Sequence, residues 1–137
     1  MTTDGKSGSL ADAAAAASQS RAARLLLDRG ASDLPPRPWL KGRQPPSAAD
    51  LIHHVLWRAN GSSRGASVDA TDLQAALTLV SAARAELDGL ETALLFLSRA
   101  EGLTWPQISQ SLGLRSAQAA QQRLDRLTTR PKADVAH

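Results

Sequence analysis

The chain has no cysteine and no tyrosine, and only one phenylalanine and three tryptophans in 137 residues. Without thiols there are no disulfide staples, no zinc ribbon and no thiol catalysis. So few aromatics exclude a core of stacked rings, and the lack of long β-branched runs argues against strands. No apolar run approaches the ~18 residues of a bilayer crossing, so no membrane partner is expected. Residues 1–20 lack the basic start and apolar centre of a secretory signal, and a cytoplasmic location is the default expectation. A phosphate-binding glycine loop, a Ser-His-acid set and a metal-ligand cluster are all missing. No catalytic residue, no metal and no cofactor is therefore expected, and the chain does not read as an enzyme.

Alanine and leucine dominate what remains, which predicts an all-α fold of one compact domain with a modest core. Thirteen arginines against three lysines reflect coding bias as much as chemistry. The net charge of +3 is small, but its location is informative. Residues 1–101 hold eleven basic and eleven acidic side chains, whereas residues 102–137 hold Arg115, Arg123, Arg126, Arg130 and Lys132 against Asp125 and Asp134. The whole surplus of three lies in the last quarter, where it would attract phosphate.

Four regions follow from the patterning. Residues 1–46 read as a disordered start through Ser9, an Ala-rich helix over 10–29 closed by Gly30, and a linker with Pro35, Pro36, Pro38, Pro45 and Pro46 around Trp39 and Leu40. Residues 47–101 read as a helical packing and dimerisation region. Ser47 caps its first helix, Asp50 suits the dipole of the first turn, and Leu51, Ile52, Val55, Leu56 and Ala59 form the buried side. His53 and His54 are about 100° apart on that helix and have no acidic partner at helical spacing, which argues against a metal site. A Thr71/Gln74 capping box then opens the longest regular pattern: Leu73, Ala76, Val80, Ala83, Leu87, Leu90, Leu94 and Leu97 recur at three-four spacing. That spacing predicts a long helix with a seam through Leu73, Val80, Leu87, Leu90, Leu94 and Leu97, covered by the same chain or by a second copy; a homodimer is favoured. Gly89 marks a point where the helix could bend or divide.

Residues 102–130 carry the most specific signals, and 131–137 form a tail; after Leu127 the chain is basic, contains Pro131 and is expected to lose order. Thr104 and Gln107 have the spacing of a capping box, with Pro106 in the first turn. Trp105, Ile108 and Leu112 form one stripe on a short helix that Gly113 stops. Ser116 caps a second helix whose inward stripe is Ala117, Ala120, Leu124 and Leu127. Opposite that stripe lie Arg115, Gln118, Ala119, Gln122 and Arg126, with Gln121, Arg123 and Asp125 on the flanks. Glutamine and arginine can pair bidentately with adenine and guanine edges in the major groove, and a small alanine permits close approach to a thymine methyl; a merely solvated face would also accept these side chains.

The run Leu97 to Leu127, LSRAEGLTWPQISQSLGLRSAQAAQQRLDRL, resembles region four of bacterial sigma factors and the small helix-turn-helix regulators that share it. Glu101, Gly102, Leu103, Thr104 and Trp105 match the acidic-Gly-Leu-Ser/Thr-aromatic opening. Ile108, Leu112 and Gly113 match the middle of the pattern, and Ser116, Arg123, Leu124 and Arg126 its cap and ending. The turn is one residue longer than usual, with Arg115 the candidate for the extra position. Nothing resembles a promoter-melting segment, and the style is similar to Ala- and Arg-rich regulators of high-GC bacteria of the actinobacterial type.

The resemblance implies a helix-turn-helix joined to the long heptad-bearing helix, with additional N-terminal helices. It further implies a sequence-specific transcriptional regulator of double-stranded DNA, associated with the nucleoid. Gln118 and Gln122 would read base edges, with Arg115 and Arg126 either assisting or gripping phosphate, and with Ser116, Ala119 and Gln121 beside them at the DNA. Arg123, Arg130 and Lys132 would meet phosphate, and Thr104 would position the preceding helix. RNA polymerase or another transcription component is a further candidate partner. The competing expectation is a helical adaptor that engages such a component without touching DNA.

Overall fold

The computed structural model describes the backbone of residues 3–36, 44–61 and 67–135, and the side chains of 8–36, 44–61 and 67–129. Among these residues the fold is all-α, with six α-helices, one short 3₁₀ turn and no strand. No described helix is long and apolar enough to cross a membrane. Trp39, Leu40 and most of the Gly61–Ser67 loop lie outside the described residues. The chain divides into two compact units: Ser9–Glu86, and Leu87–His137 together with Met1–Gly8.

Helix α1 (Thr3–Asp28), which from Ser9 onward belongs to the N-terminal unit, is long because alanine carries no side-chain entropy cost in a helix. It begins well before Leu10, within the stretch expected to be disordered. Gly30, at φ 116°, ends the helical region in a left-handed conformation that L side chains avoid. A 3₁₀ turn, Ala31–Asp33, follows. Helix α2 (Ala48–Asn60) opens on a full capping box: the Asp50 amide donates to Ser47 Oγ at 3.1 Å, and the Ser47 amide donates to Asp50 Oδ2 at 3.2 Å. The Glu86 carboxylate accepts from the Ala48 amide at 2.6 Å, placing a negative charge where the helix dipole favours it.

Helix α3 (Ala70–Thr78) is capped by Asp69 and Asp72, not by Thr71 and Gln74. The Asp72 amide donates to Asp69 Oδ1 at 2.9 Å and the Asp69 amide donates to Asp72 Oδ2 at 3.0 Å, so the aspartate pair moves the start upstream of the threonine. The expected long helix is divided, and the division falls at Leu79, not Gly89. Leu79 is 2% exposed, in the core of Ala22, Leu26, Ala31, Leu51, Val55 and Ala75. Its amide is shared between the carbonyls of Ala75 at 3.2 Å and Ala76 at 3.1 Å, a bifurcated helix ending. Burying an off-seam leucine dictates the turn; Gly89 lies within the uninterrupted α4 (Val80–Ala100).

Asp72 is the polar centre of this unit, only 1% exposed. Arg29 Nη1 lies 2.8 Å from Asp72 Oδ1 and 2.8 Å from Asp69 Oδ1, and Arg58 Nη1 lies 3.6 Å from Asp72 Oδ1. One carboxylate therefore joins α3 to the ends of α1 and α2. Burial pushes Asp72 upward, but the Asp69 amide and the two guanidinium groups outweigh that penalty and hold it below the usual aspartate range. His54 stacks on Trp57 with centroids 5.8 Å apart, while His53 is exposed. Burial, then the Arg58 charge, lowers the His54 pKa, against a smaller upward pull from Asp33.

The C-terminal unit is built from α4 beyond Leu87, α5 (Trp105–Leu112) and α6 (Ala117–Val135). One residue from each helix forms its core: Leu95, Ile108 and Ala120, surrounded by Leu103, Trp105, Leu114, Leu124 and Leu127. Helix α6 continues past Leu127 and through Pro131, into the segment expected to be a disordered tail. Within it, Thr128 Oγ1 donates to the Leu124 carbonyl at 2.9 Å and Thr129 Oγ1 donates to the Asp125 carbonyl at 2.6 Å.

Candidate nucleic-acid interface

Helix α6 presents a polar ridge, and the chain before it fixes where that ridge starts. Gly102, at φ 92°, turns the chain out of α4, with the Leu103 amide bonded to the Ser98 carbonyl at 3.0 Å. Arg99 then closes over the turn: its guanidinium stacks 4.9 Å above the Trp105 ring and donates to the Leu103 carbonyl at 2.8 Å. At the head of α5 the Gln107 amide donates to Thr104 Oγ1 at 3.3 Å, and the Thr104 amide donates to Gln107 Oε1 at 2.8 Å. Thr104 is thus committed to capping, though its side chain stays exposed.

The second turn repeats this logic. Gly113 has φ 71°, and the Leu114 amide reaches back to the Ser109 carbonyl at 2.8 Å. Ser109 is 3% exposed, and its hydroxyl donates to the Leu114 carbonyl at 3.1 Å. This buried serine ties both sides of the turn together, whereas Leu112, expected in the stripe, is 39% exposed. A serine in a glutamine- and serine-rich stretch gave no sequence signal for burial. Ser116 then caps α6, accepting from the Ala119 amide at 3.2 Å.

With that start fixed, Ala120 is fully buried, and Ala117, Leu124 and Leu127 are half-buried towards the core. Arg115, Gln118, Gln121, Gln122 and Arg126 are exposed, and Ala119 is half-buried between them. These side chains form one convex strip, bearing two cations and three amides that can each donate and accept. Arg123 stands apart. Its Nε lies 2.8 Å from Glu91 Oε1, and Glu91 is only 15% exposed. The pair braces α6 against α4, so Arg123 serves as a strut in addition to any external contact. A small open cleft of 290 Å³ lies beside this strut, lined by Asp88, Glu91, Arg123, Arg126 and Leu127. The side chains of Arg130 and Lys132 lie outside the described residues.

The seam residues separate into two groups. Leu73, on α3, is 47% exposed, and Val80, the first residue of α4, is half-buried. Within the C-terminal unit Leu87 and Leu90 are 64% exposed, and Leu94 and Leu97 are 63% exposed. Compared with known protein families, with curated proteins and with solved structures, the chain has no match.

Proposed function

We propose that the protein is a sequence-specific DNA-binding transcriptional regulator in which α5, the Gly113 turn and α6 act as a helix-turn-helix. The observation that carries this reading is the exposed strip of Arg115, Gln118, Gln121, Gln122 and Arg126 on a helix whose opposite side is anchored by Ala120, Leu124 and Leu127. A helix held by its apolar side and free along an amide- and guanidinium-bearing side has the shape and donor-acceptor set needed for the major groove. The resemblance of residues 97–127 to sigma-factor region four supports it, as does the basic surplus of the last quarter.

In this reading Gln118 and Gln122 meet base edges, Ser116 and Gln121 contact the groove wall, and Ala119 lets the helix sit deep. Arg115 and Arg126, with Arg130 and Lys132 beyond them, meet phosphate. Thr104 sets the pose of α5, and Arg123 holds the angle of α6 through Glu91. Two copies would present two such helices to half-sites about one duplex turn apart, ~34 Å. The cytoplasmic nucleoid is where such a protein would work.

Fluorescence-anisotropy titrations of the full chain against a duplex selected by it from a randomised pool and against random duplexes, at several salt concentrations, test the assignment. Binding is expected to weaken steeply with salt. Gln122→Ala should bring the selected and random duplexes closer in affinity, with a loss of about 1–3 kcal/mol confined to the selected one. Arg126→Ala should weaken all duplexes alike and reduce the salt slope by about one. Absence of duplex binding even at low salt would overturn the reading in favour of an adaptor that engages RNA polymerase or another transcription component through protein surface alone.

A further inference from the structure

Helix α4 faces two ways. Leu95 is 3% exposed and belongs to the core with Ile108 and Ala120, whereas Leu87, Leu90, Leu94 and Leu97 are each 63–64% exposed. At 100° per residue these four leucines fall within one band about 80° wide, some 120° around the helix from Leu95. They recur at spacings of three, four and three, and no charged residue interrupts the band. Single exposed leucines are ordinary, but four in register on one helix are a continuous apolar ridge. Glu91, which flanks the band, is turned away by its 2.8 Å contact with Arg123.

We infer that this ridge is a self-association surface, and that its occupant is the same ridge of a second copy of the chain. Three-four spacing is the pattern by which two helices interlock side chains along a shared seam. A two-fold pairing needs a patch that complements itself, and an uncharged leucine row meets its own copy without like-charge repulsion. The four leucines present roughly 400 Å² per copy, about half the ~800 Å² that each partner contributes to a standard interface. That area is well short of what an obligate dimer buries, so the pairing is a weak, reversible one. Because α4 also carries Leu95 and Glu91, pairing at the ridge would set the spacing of the two α6 helices directly. The assembly itself does not depend on whether α6 reads DNA.

Sedimentation equilibrium of the full chain from about 1 to 500 µM, without nucleic acid, tests the inference. The expected result is a monomer–dimer equilibrium. Leu90→Glu and Leu94→Glu should each weaken it at least tenfold, leaving helical content by circular dichroism unchanged, since both side chains are mostly exposed. Phe96→Glu, an exposed apolar position on the far side of α4, should leave the association constant unchanged. A monomer throughout the range overturns the proposal, showing that the ridge is covered within the chain or reserved for a different protein. A dimer that the two leucine variants leave intact, or that Phe96→Glu disrupts equally, also overturns it. Because no duplex is present, failure here is separate from failure of DNA binding.

Discussion

The N-terminal unit turns its strongest polar groups inward, and the C-terminal unit turns them outward. In the first, Asp72 is buried beneath Arg29 and Arg58 and unites three helices. In the second, the buried polar group is a neutral serine that locks a turn, while five arginine and glutamine side chains stand in solvent on α6. The apolar groups differ in the same sense: the first unit has a core of seven buried residues and the second has three, and although both expose large apolar side chains, only in the second do four leucines line one face of a single helix. Inward charge commits a region to one arrangement of its own helices, whereas outward donors and an unfilled apolar ridge suit a region that meets other molecules.

The largest expected effect tests the inward charge. Asp72→Ala removes a carboxylate that accepts from Arg29 at 2.8 Å, lies 3.6 Å from the Arg58 guanidinium and forms half of a capping box, and should destabilise the N-terminal unit by about 3 kcal/mol. That is the low end for a broken buried pair, because Arg29 is 33% exposed. Hydrogen exchange resolved by peptide should show loss of protection over 48–78 and unchanged protection over 105–127. Equal loss in both regions would erase the distinction between the units.

Next in size is Gly113→Ala. An added Cβ meets nothing within 4 Å, so the cost comes from the left-handed backbone alone, about 1 kcal/mol. It should appear as faster exchange in α5 and α6 and as weaker duplex binding, with the N-terminal unit unaffected. A variant as stable as the parent would mean that the turn is not set by φ at this position.

Acidification should give the smallest effect. The His54 pKa lies below its ordinary value, so the fold favours the neutral ring. The stability this gives is complete above the ordinary histidine value, about 6.5, and falls as pH drops from there through the folded pKa. Asp72 lies below the ordinary aspartate range, so its contribution is complete above about 3.9 and is lost as pH falls through its lower folded pKa. Urea midpoints reported by Trp57 should therefore decline in two separate acid windows. His54→Gln should remove the upper one only.

These contrasts were unequally legible in the residues. Local chemistry read well: the Ser47 and Thr104 caps, the Gly113 stop and the Ser116 start each follow from a few adjacent side chains, and Arg115, Gln118, Gln122 and Arg126 are exposed as expected, although Ala119 is half-buried and Gln121, expected on the flank, is exposed. Non-local pairing did not. Nothing near Asp72 announces Arg29, forty-three positions away, and nothing near Arg123 announces Glu91. The heptad pattern predicted one seam, but spacing cannot tell which apolar residue a neighbouring helix will claim. Leu79, off the seam, was claimed by the N-terminal core and divided the helix, and Asp69 with Asp72 outcompeted the Thr71/Gln74 box. The start and end of the chain looked too polar for order, yet α1 and α6 extend into both.

The central claim, that the ridge after Gly113 reads base sequence, is met most directly by selecting bound duplexes from a randomised pool with the purified full chain and sequencing them. The account predicts an enriched motif with a short core, which Gln118→Ala and Gln122→Ala blur at different positions. Recovery of the input pool unchanged, or a motif that neither substitution alters, would contradict it.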